Sequence, residues 1–176
     1  ARGLDEGQGT VWAGDAREGF NGGAEYTRWV RSPNDAQAAG SFLGARCDRV
    51  RVMPFLEGIP CSIHGIVFDD YVAALRPFEM VVLRRTNHPE LFYAGVASYW
   101  DPPADDREEM RSIARRVGAA LRADADFRGG FTIDGIMTAQ GFRPTELNPR
   151  PGAALGTLSR SLPDLPLSLL FPAISG

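Results

Sequence analysis

Four residues in the last third of the sequence have side chains suited to holding a metal ion and an anion: Asp134, Glu146, Asn148 and Arg150. Carboxylate and amide oxygens are hard ligands. An all-oxygen set favours a hard cation such as Mg²⁺, which usually keeps several waters and also binds substrate phosphates. The guanidinium of Arg150 is a fixed, planar cation that suits a phosphate or a carboxylate. These residue types therefore support the binding of an anionic, metal-bound substrate.

A β-hairpin would position these side chains, because two apolar-rich runs flank a short Gly-containing loop. The runs are Phe131–Thr138 and Phe142–Asn148, and the three-residue connection is Ala139–Gly141. We expect Thr138 and Phe142 to close the loop. That register sets Asp134 directly opposite Glu146, with Cβ atoms about 5 Å apart, where like charges repel unless a cation lies between them. Asn148 shares the face of Glu146 because side chains along a strand alternate with a period of two.

The alternative for the two carboxylates is that they are solvated residues on an exposed sheet face. Their apolar and proline neighbours argue against a flexible surface; these are Ile133, Ile136, Leu147, Pro149 and Pro151. The metal interpretation depends on the register, because a slip of one residue would move one carboxylate to the other face of the sheet.

The run from Glu146 to Arg150, ELNPR, together with Asp134, resembles the closing metal-binding hairpin of the ATP-grasp ligases. In that family an acidic residue on one strand and an E-x-N pair on the next hold the Mg²⁺ ions that bridge the ATP phosphates. The E-x-N-x-R form is similar to the carboxylase and carboxylate–amine ligase branches. The resemblance implies ATP and Mg²⁺ as cofactors, with Asp134, Glu146 and Asn148 as metal ligands. It also implies Arg150 as the catalytic positive group nearest the transferred phosphoryl.

The first residues, ARGLDEGQG, form a Gly-rich stretch before the β-prone run Thr10–Ala13. Backbone N–H groups at Gly7 and Gly9 could close over phosphate oxygens, and an ordinary Gly-rich turn is the alternative. In the resembled family this position holds the loop that closes over the ATP phosphates. That loop follows a strand with a phosphate-binding Lys, which would lie before Ala1. We therefore interpret the chain as a fragment of a longer protein.

Alternating charged and apolar residues predict a strand from Arg49 to Leu56, whose ladder ends at Pro54. In the resembled family the corresponding strand end contacts the nucleotide. The residues that match this use are Met53, Phe55 and Leu56 at the base, with Glu57 as a substitute for the usual ribose contact. The sequence departs from many members, which have an acidic residue at position 53 and a Glu near Pro60. Plain core packing is the alternative for Phe55 and Leu56.

Four β-rich runs between Pro60 and Trp100 predict an antiparallel sheet. Ser62 and His64 share one face of the first run, and a structural hydrogen-bonding role is the default for His64. Some family members have a phosphate-binding Lys late in this sheet. Ser98 stands there instead, so the resemblance implies that an Arg, with Arg76 our first choice, takes over the charge and acts in catalysis.

Three helices are predicted outside these strands. The first begins at Ser32 as N-cap, with Pro33 at its first position and Asp35 three residues after the cap. The second, from Asp105 to Asp126, has a capping-box-like start at Asp105 and Glu108 and an apolar stripe that should pack on the sheet. The stripe is Met110, Ile113, Ala114, Val117 and Leu121. A third helix is expected near Asp164.

Composition limits the class of protein. The chain has 176 residues, 44% of them hydrophobic, which is typical of a globular domain. A net charge of −3 does not suggest binding to nucleic acid or to an anionic membrane, and no apolar run is long enough for a transmembrane helix. Cys47 and Cys61 lack metal-type spacing, so a reduced, cytoplasmic protein is the default. All 19 basic residues are Arg, and Lys is absent.

Together these features predict an α+β protein with the ATP-grasp fold: a partial small lobe at 1–57 and a larger metal-binding lobe at 58–176. The implied function is an ATP- and Mg-dependent ligase, weakly active or inactive as this chain alone, that joins a small-molecule carboxylate to an amine through an acylphosphate. A catalytically inactive nucleotide-binding module, acting as sensor or scaffold, is the alternative. A third possibility is a purely structural β-domain, which predicts no Mg-dependent nucleotide binding.

Overall fold

The computed structural model describes residues 2–18, 22, 24–84, 86, 88–161, 164, 167, 170 and 174. A 3-10 turn at Arg2–Leu4 precedes the strands and helices. The strands are β1 Thr10–Ala16, β2 Thr27–Val30, β3 Cys47–Pro54, β4 Ile59–Val67, β5 Val72–Ala74, β6 Phe78–Arg84, β7 Leu91–Ala97, β8 Gly129–Thr138 and β9 Gly141–Asn148. The helices are α1 Pro33–Gly44, α2 Ala104–Ala125 and α3 Leu155–Ser161. Helices combined with antiparallel sheets confirm the predicted α+β class.

Residue contacts divide the chain into two compact units. The first unit consists of Ala1–Glu57 and Val81–Ala94, and the second of Gly58–Met80 and Gly95–Gly176.

The first unit contains a three-stranded antiparallel sheet, ordered β2-β1-β3, with α1 beside it. The predicted start of α1 is confirmed as a capping box. The Ser32 hydroxyl accepts a hydrogen bond from the Asp35 N–H at 3.1 Å, and the Asp35 carboxylate accepts one from the Ser32 N–H at 3.0 Å. These bonds satisfy backbone donors that a helix start leaves unpaired. Ala39 and Leu43 are the buried residues of this helix.

The two faces of this sheet differ in what covers them. Val11 pairs with both Trp29 and Met53, and directly opposed residues share a face. Arg28, one residue from Trp29, points to the opposite face, where its guanidinium lies 3.9 Å from the ring centre of Phe42 in α1. The face with Trp29 and Met53 is therefore the one turned away from α1.

The second unit is built around β4, β8 and β9, which are neighbours in the strand order β7-β6-β4-β8-β9, while β5 also pairs with β4. The apolar stripe of α2 packs on this sheet, as predicted, with Met110 and Ala114 fully buried. The predicted capping box of α2 is wrong. Pro103 takes the N-cap position and makes no side-chain cap bond, so that Asp105 lies inside the first turn.

The end of the chain forms α3, which begins nine residues before the helix expected near Asp164. Most of the segment predicted for that helix lies outside the described residues. No helix in the described part of the chain is both long enough and apolar enough to cross a membrane.

Candidate functional site

The hairpin of β8 and β9 carries the predicted metal ligands. Asp134 pairs directly with Glu146, as the sequence predicted, and Thr132 pairs with Asn148. Glu146 and Asn148 are two residues apart on β9 and so share one face. The hairpin therefore gathers the two carboxylates and the amide on one side of the sheet.

The hairpin loop that leads to this pairing is shorter than predicted. Thr138 pairs with Gly141, so the loop has two residues rather than three. The pairing of Asp134 with Glu146 is restored by a register shift beside Asp134, where Thr145 is the extra residue of a β-bulge. Gly141 has a φ of +97°, a value that favours glycine, and this lets β9 begin one residue early.

Hydrogen bonds join three of the four side chains of the hairpin site. The Asn148 Nδ2 donates to Asp134 Oδ2 at 3.1 Å, and Arg150 Nη2 donates to Asn148 Oδ1 at 3.3 Å. Burial raises the pKa of Asp134 to about 6, the negative charge of Glu146 adds to the rise, and Arg150 opposes it. The ionised site is thus short of positive charge, which is the condition that a bound cation relieves.

The donor set fits Mg²⁺ in type. In the described part of the chain no three His, Cys, Asp or Glu side chains are grouped to hold a metal ion. Asp134, Glu146 and Asn148 are two carboxylates and an amide, a small set that suits an ion keeping several waters. The amide oxygen of Asn148 accepts from Arg150 here. Ligation by all three oxygens therefore requires that this hydrogen bond be given up.

A second row of polar side chains lies next to the carboxylates on the same sheet face. Ser62 pairs with Asp134, and His64 pairs with Thr132. Ser62, His64 and Thr132 are only 2 to 3% exposed. The sequence indicated the shared face of Ser62 and His64 but gave no sign of Thr132, since a threonine in a strand has no distinguishing pattern.

His64 does not have the hydrogen-bonding role that the sequence favoured. Both of its ring nitrogens are buried and have no hydrogen-bond partner among the described residues. Burial lowers the pKa of His64 to about 4, so the imidazole is neutral at pH 7.

The backbone that follows the hairpin crosses closely over this second row. The Thr132 hydroxyl donates to the carbonyl of Arg150 at 3.2 Å. A Cβ placed at Gly152 would lie 2.7 Å from His64 Nε2 and 2.8 Å from Thr132 Oγ1. Only a residue without a side chain fits here, so Gly152 sets the path of the segment that carries Arg150.

The predicted phosphate loop lies in the first unit. The N–H groups of Gly7 and Gly9 both donate to Asp5 Oδ1 at 2.8 Å. The Phe55 N–H donates to the Gly9 carbonyl at 3.1 Å, so the loop lies beside the predicted base-binding segment. The two backbone donors expected to bind phosphate are therefore occupied by a carboxylate of the same loop.

Trp29 belongs to this group, although the sequence gave it no role. Its ring stacks on Phe55 with centroids 4.1 Å apart, and its Nε1 donates to the Gln8 carbonyl at 2.7 Å. Met53 shares the sheet face of Trp29. Leu56 is half-buried and Glu57 is exposed. The partner of a Trp in a short strand depends on the fold, so the sequence alone did not single it out.

No protein-family model and no curated protein matches the sequence. Solved structures do match at the level of fold. They include a carboxyaminoimidazole ribonucleotide synthase from Aspergillus clavatus complexed with ATP, with a TM-score of 0.64 at 14% identity over 86% of this chain. The VanG D-Ala:D-Ser ligase from Enterococcus faecalis has a TM-score of 0.62 at 13% identity over 82% of the chain. Biotin carboxylase from Campylobacter jejuni has a TM-score of 0.61 at 15% identity over 88% of the chain.

The chain has the ATP-grasp fold. The fold predicted from the sequence is confirmed. The chain covers 36%, 41% and 34% of these three solved chains.

Within this ATP-grasp fold the predicted site residues form two groups, one in each unit. The hairpin group is Asp134, Glu146, Asn148 and Arg150, and the loop group is Gly7, Gly9, Met53 and Phe55. Arg76, the second predicted catalytic residue, belongs to the unit of the hairpin, where its Nη2 donates to the Ser98 carbonyl at 2.9 Å. The guanidinium of Arg76 therefore contacts the backbone of Ser98, and its catalytic role stays a prediction.

Proposed function

We propose that this chain is the nucleotide-binding core of an ATP-grasp ligase that uses ATP and Mg²⁺ to activate a carboxylate for attack by an amine. The observation that carries the proposal is the facing pair of Asp134 and Glu146, linked to Asn148 and Arg150 on an ATP-grasp fold. The raised pKa of Asp134 supports it, because a strand pair of this kind is electrostatically unfavourable without a cation. The regions 1–57 and 58–176 are proposed as a partial small lobe and a larger metal-binding lobe.

Each proposed site residue has a role that its chemistry allows. Asp134, Glu146 and Asn148 hold Mg²⁺, which when bound neutralises the crowded phosphate oxygens of ATP. Arg150 and Arg76 supply fixed positive charge at the transferred phosphoryl group. Gly7 and Gly9 bind phosphate oxygens through their N–H groups, which requires that Asp5 release both donors. The base is bound by Met53, Phe55 and Leu56, and the ribose by Glu57.

The reaction proceeds in two displacements. A carboxylate oxygen of the first substrate attacks the γ-phosphorus of ATP, the bond from that phosphorus to the bridging oxygen breaks, and ADP leaves. The amine nitrogen of the second substrate then attacks the carbonyl carbon of the acylphosphate, the bond from that carbon to the phosphate oxygen breaks, inorganic phosphate leaves, and the nitrogen releases a proton to water. Both substrates are small molecules in this proposal. It also retains a cytoplasmic location, which suits the two buried, unpaired cysteines, Cys47 and Cys61.

Calorimetric titration of ATP into the chain, with and without Mg²⁺, tests the proposal. We expect Mg²⁺ to strengthen ATP binding, and we expect this strengthening to disappear in the variant carrying both Asp134→Asn and Glu146→Gln. These substitutions keep the shape of each side chain and remove its charge. Equal ATP affinity of the wild type and the double variant in Mg²⁺ would show that the hairpin is not the metal site.

One observation favours a second function, a nucleotide-binding module without catalysis. Asp5 occupies the backbone donors of the Gly-rich loop, and Met53 and Ser98 depart from the family pattern. Measuring ADP formation by the longest natural form of the protein, supplied with a pool of carboxylates and amines, separates the two functions. A ligase releases ADP in proportion to product, whereas an inactive module binds ATP and releases none.

A further inference from the structure

Two arginines of the first unit are held on the ring of Trp29. The guanidinium carbon of Arg31 lies 4.6 Å from the ring centre, and that of Arg84 lies 4.7 Å from it. Phe55 stacks on the same indole. One aromatic side chain thus brings two positive charges close together.

This cluster adjoins the Gly-rich loop. A Cβ placed at Gly9 would lie 3.0 Å from Cγ of Arg31, so the Arg31 side chain runs directly against the loop. Trp29 Nε1 donates a hydrogen bond to the Gln8 carbonyl, and the Phe55 N–H donates one to the Gly9 carbonyl. The cluster and the loop are therefore parts of one surface.

The arginines keep their hydrogen-bonding capacity in this arrangement. A guanidinium over an aromatic ring uses its face for the contact, whereas its N–H groups point outward in its own plane. Both side chains are exposed, and neither guanidinium forms an ion pair with a carboxylate of the described residues. Asp35, the acid nearest in sequence to Arg31, accepts from the Arg31 backbone N–H instead. Two unpaired like charges held on one ring repel, and an anion bound to both reduces the repulsion.

We infer that Arg31 and Arg84, positioned by Trp29, bind the phosphate chain of the nucleotide. This inference rests on the proposed function and names residues that it did not include. A triphosphate is the anion that fits best, because its several charged oxygens accept from two forks at once. The N–H groups of Gly7 and Gly9 lie in the adjoining loop and join the site only if Asp5 releases them. In a chain without Lys, the arginines supply the positive charge of the loop region.

Binding of inorganic tripolyphosphate and of ATP, both without Mg²⁺, tests the inference by calorimetry on the whole chain. We expect Arg31→Gln and Arg84→Gln together to weaken tripolyphosphate binding about tenfold or more, since each removes charge-assisted hydrogen bonds to phosphate. Arg31→Lys should recover part of the loss, because it restores charge without the fork.

Arg46→Gln is the matched control. Arg46 is exposed, belongs to the same unit and stacks on Phe42 at 4.4 Å, on the side of the sheet that faces α1. Its loss removes the same charge and the same type of ring contact, so we expect tripolyphosphate affinity within about twofold of the wild type. Thermal unfolding of each variant checks that the fold is retained.

The outcomes separate this inference from the function on which it rests. Unchanged affinity in the Arg31/Arg84 double variant, with normal Mg-dependent ATP binding, overturns the inference and leaves the function standing. Tripolyphosphate binding that needs both arginines, without any ATP binding in Mg²⁺, supports the anion site and counts against the function. Equal losses in the double variant and in Arg46→Gln reduce the effect to overall charge and overturn the inference.

Discussion

The hairpin group and the arginine cluster around Trp29 differ in charge and in the way the chain assembles them. The hairpin group has two carboxylates and one guanidinium, is held by paired strands, and lies within 17 residues of sequence, from Asp134 to Arg150. The arginine cluster is basic and is assembled around Trp29 from segments far apart in the sequence, which contribute Arg31, Phe55 and Arg84. A site within one hairpin can be recognised from its sequence, whereas a site gathered by packing cannot.

The largest expected effect concerns the carboxylates of the hairpin group. Asp134→Asn should weaken ATP binding in Mg²⁺ on the order of a hundredfold, because loss of outer-sphere partners alone changes metal affinity by about 10–100-fold. ATP affinity without Mg²⁺ should stay within about twofold of the wild type, since binding without the metal depends on the arginine cluster. Calorimetry in both buffers measures the two parts separately. Asp70→Asn, at an exposed position, serves as the control. If Mg²⁺ strengthened ATP binding by Asp134→Asn as much as by the wild type, the hairpin group would not be the metal site.

Gly152→Ala tests how strongly the hairpin group depends on its support. The new Cβ would overlap His64 and Thr132, so we expect a loss of about 2–3 kcal/mol in the free energy of unfolding. Gly156→Ala is the control, because no atom lies within 4 Å of its Cβ and alanine favours helix α3 by about 1 kcal/mol. Urea unfolding compares them. A Gly152→Ala protein as stable as the wild type would show that the segment is free to move.

His64 makes the stability of the hairpin unit depend on pH. Its folded pKa of about 4 lies below the ordinary value of 6.5, so its contribution to stability is present at pH 7 and is lost as the pH falls from 6.5 towards 4. When the pH is lowered from 7 to 5, the free energy of unfolding of His64→Gln should rise by about 2 kcal/mol relative to that of the wild type. Urea unfolding of both proteins at the two pH values measures this. A constant difference between them would mean that folding does not lower the pKa of His64.

The smallest expected effect concerns Trp29, the residue on which the arginine cluster packs. Trp29→Phe keeps an aromatic ring for Phe55 and the arginines but removes the hydrogen bond to Gln8, so we expect a loss of about 1 kcal/mol in stability. Tripolyphosphate affinity should change by less than in the double arginine variant. Trp100→Phe, in the other unit, is the control for the loss of an indole. Tripolyphosphate binding as weak as that of the arginine variant would show that the indole itself contacts the anion.

Much of the fold could be predicted because it rests on local patterns. The capping box at Ser32 and the apolar stripe of α2 are set by residues within a few positions of one another. The facing of Asp134 and Glu146 also followed from two short runs and a loop. The predicted register survived an incorrect loop length, because the bulge at Thr145 cancelled the displacement.

The sequence by itself thus determined the class of fold and the acidic side of the candidate site, since strand alternation and hairpin pairing act over a few residues. Only the tertiary structure decided that His64 is buried with no hydrogen-bond partner in the described part of the chain. It also decided that Asp5 occupies the donors of Gly7 and Gly9, and that Trp29 contacts Phe55 and two arginines. These features depend on which side chains meet after the chain has folded. Such contacts join residues with no fixed spacing along the chain, and no local pattern encodes them.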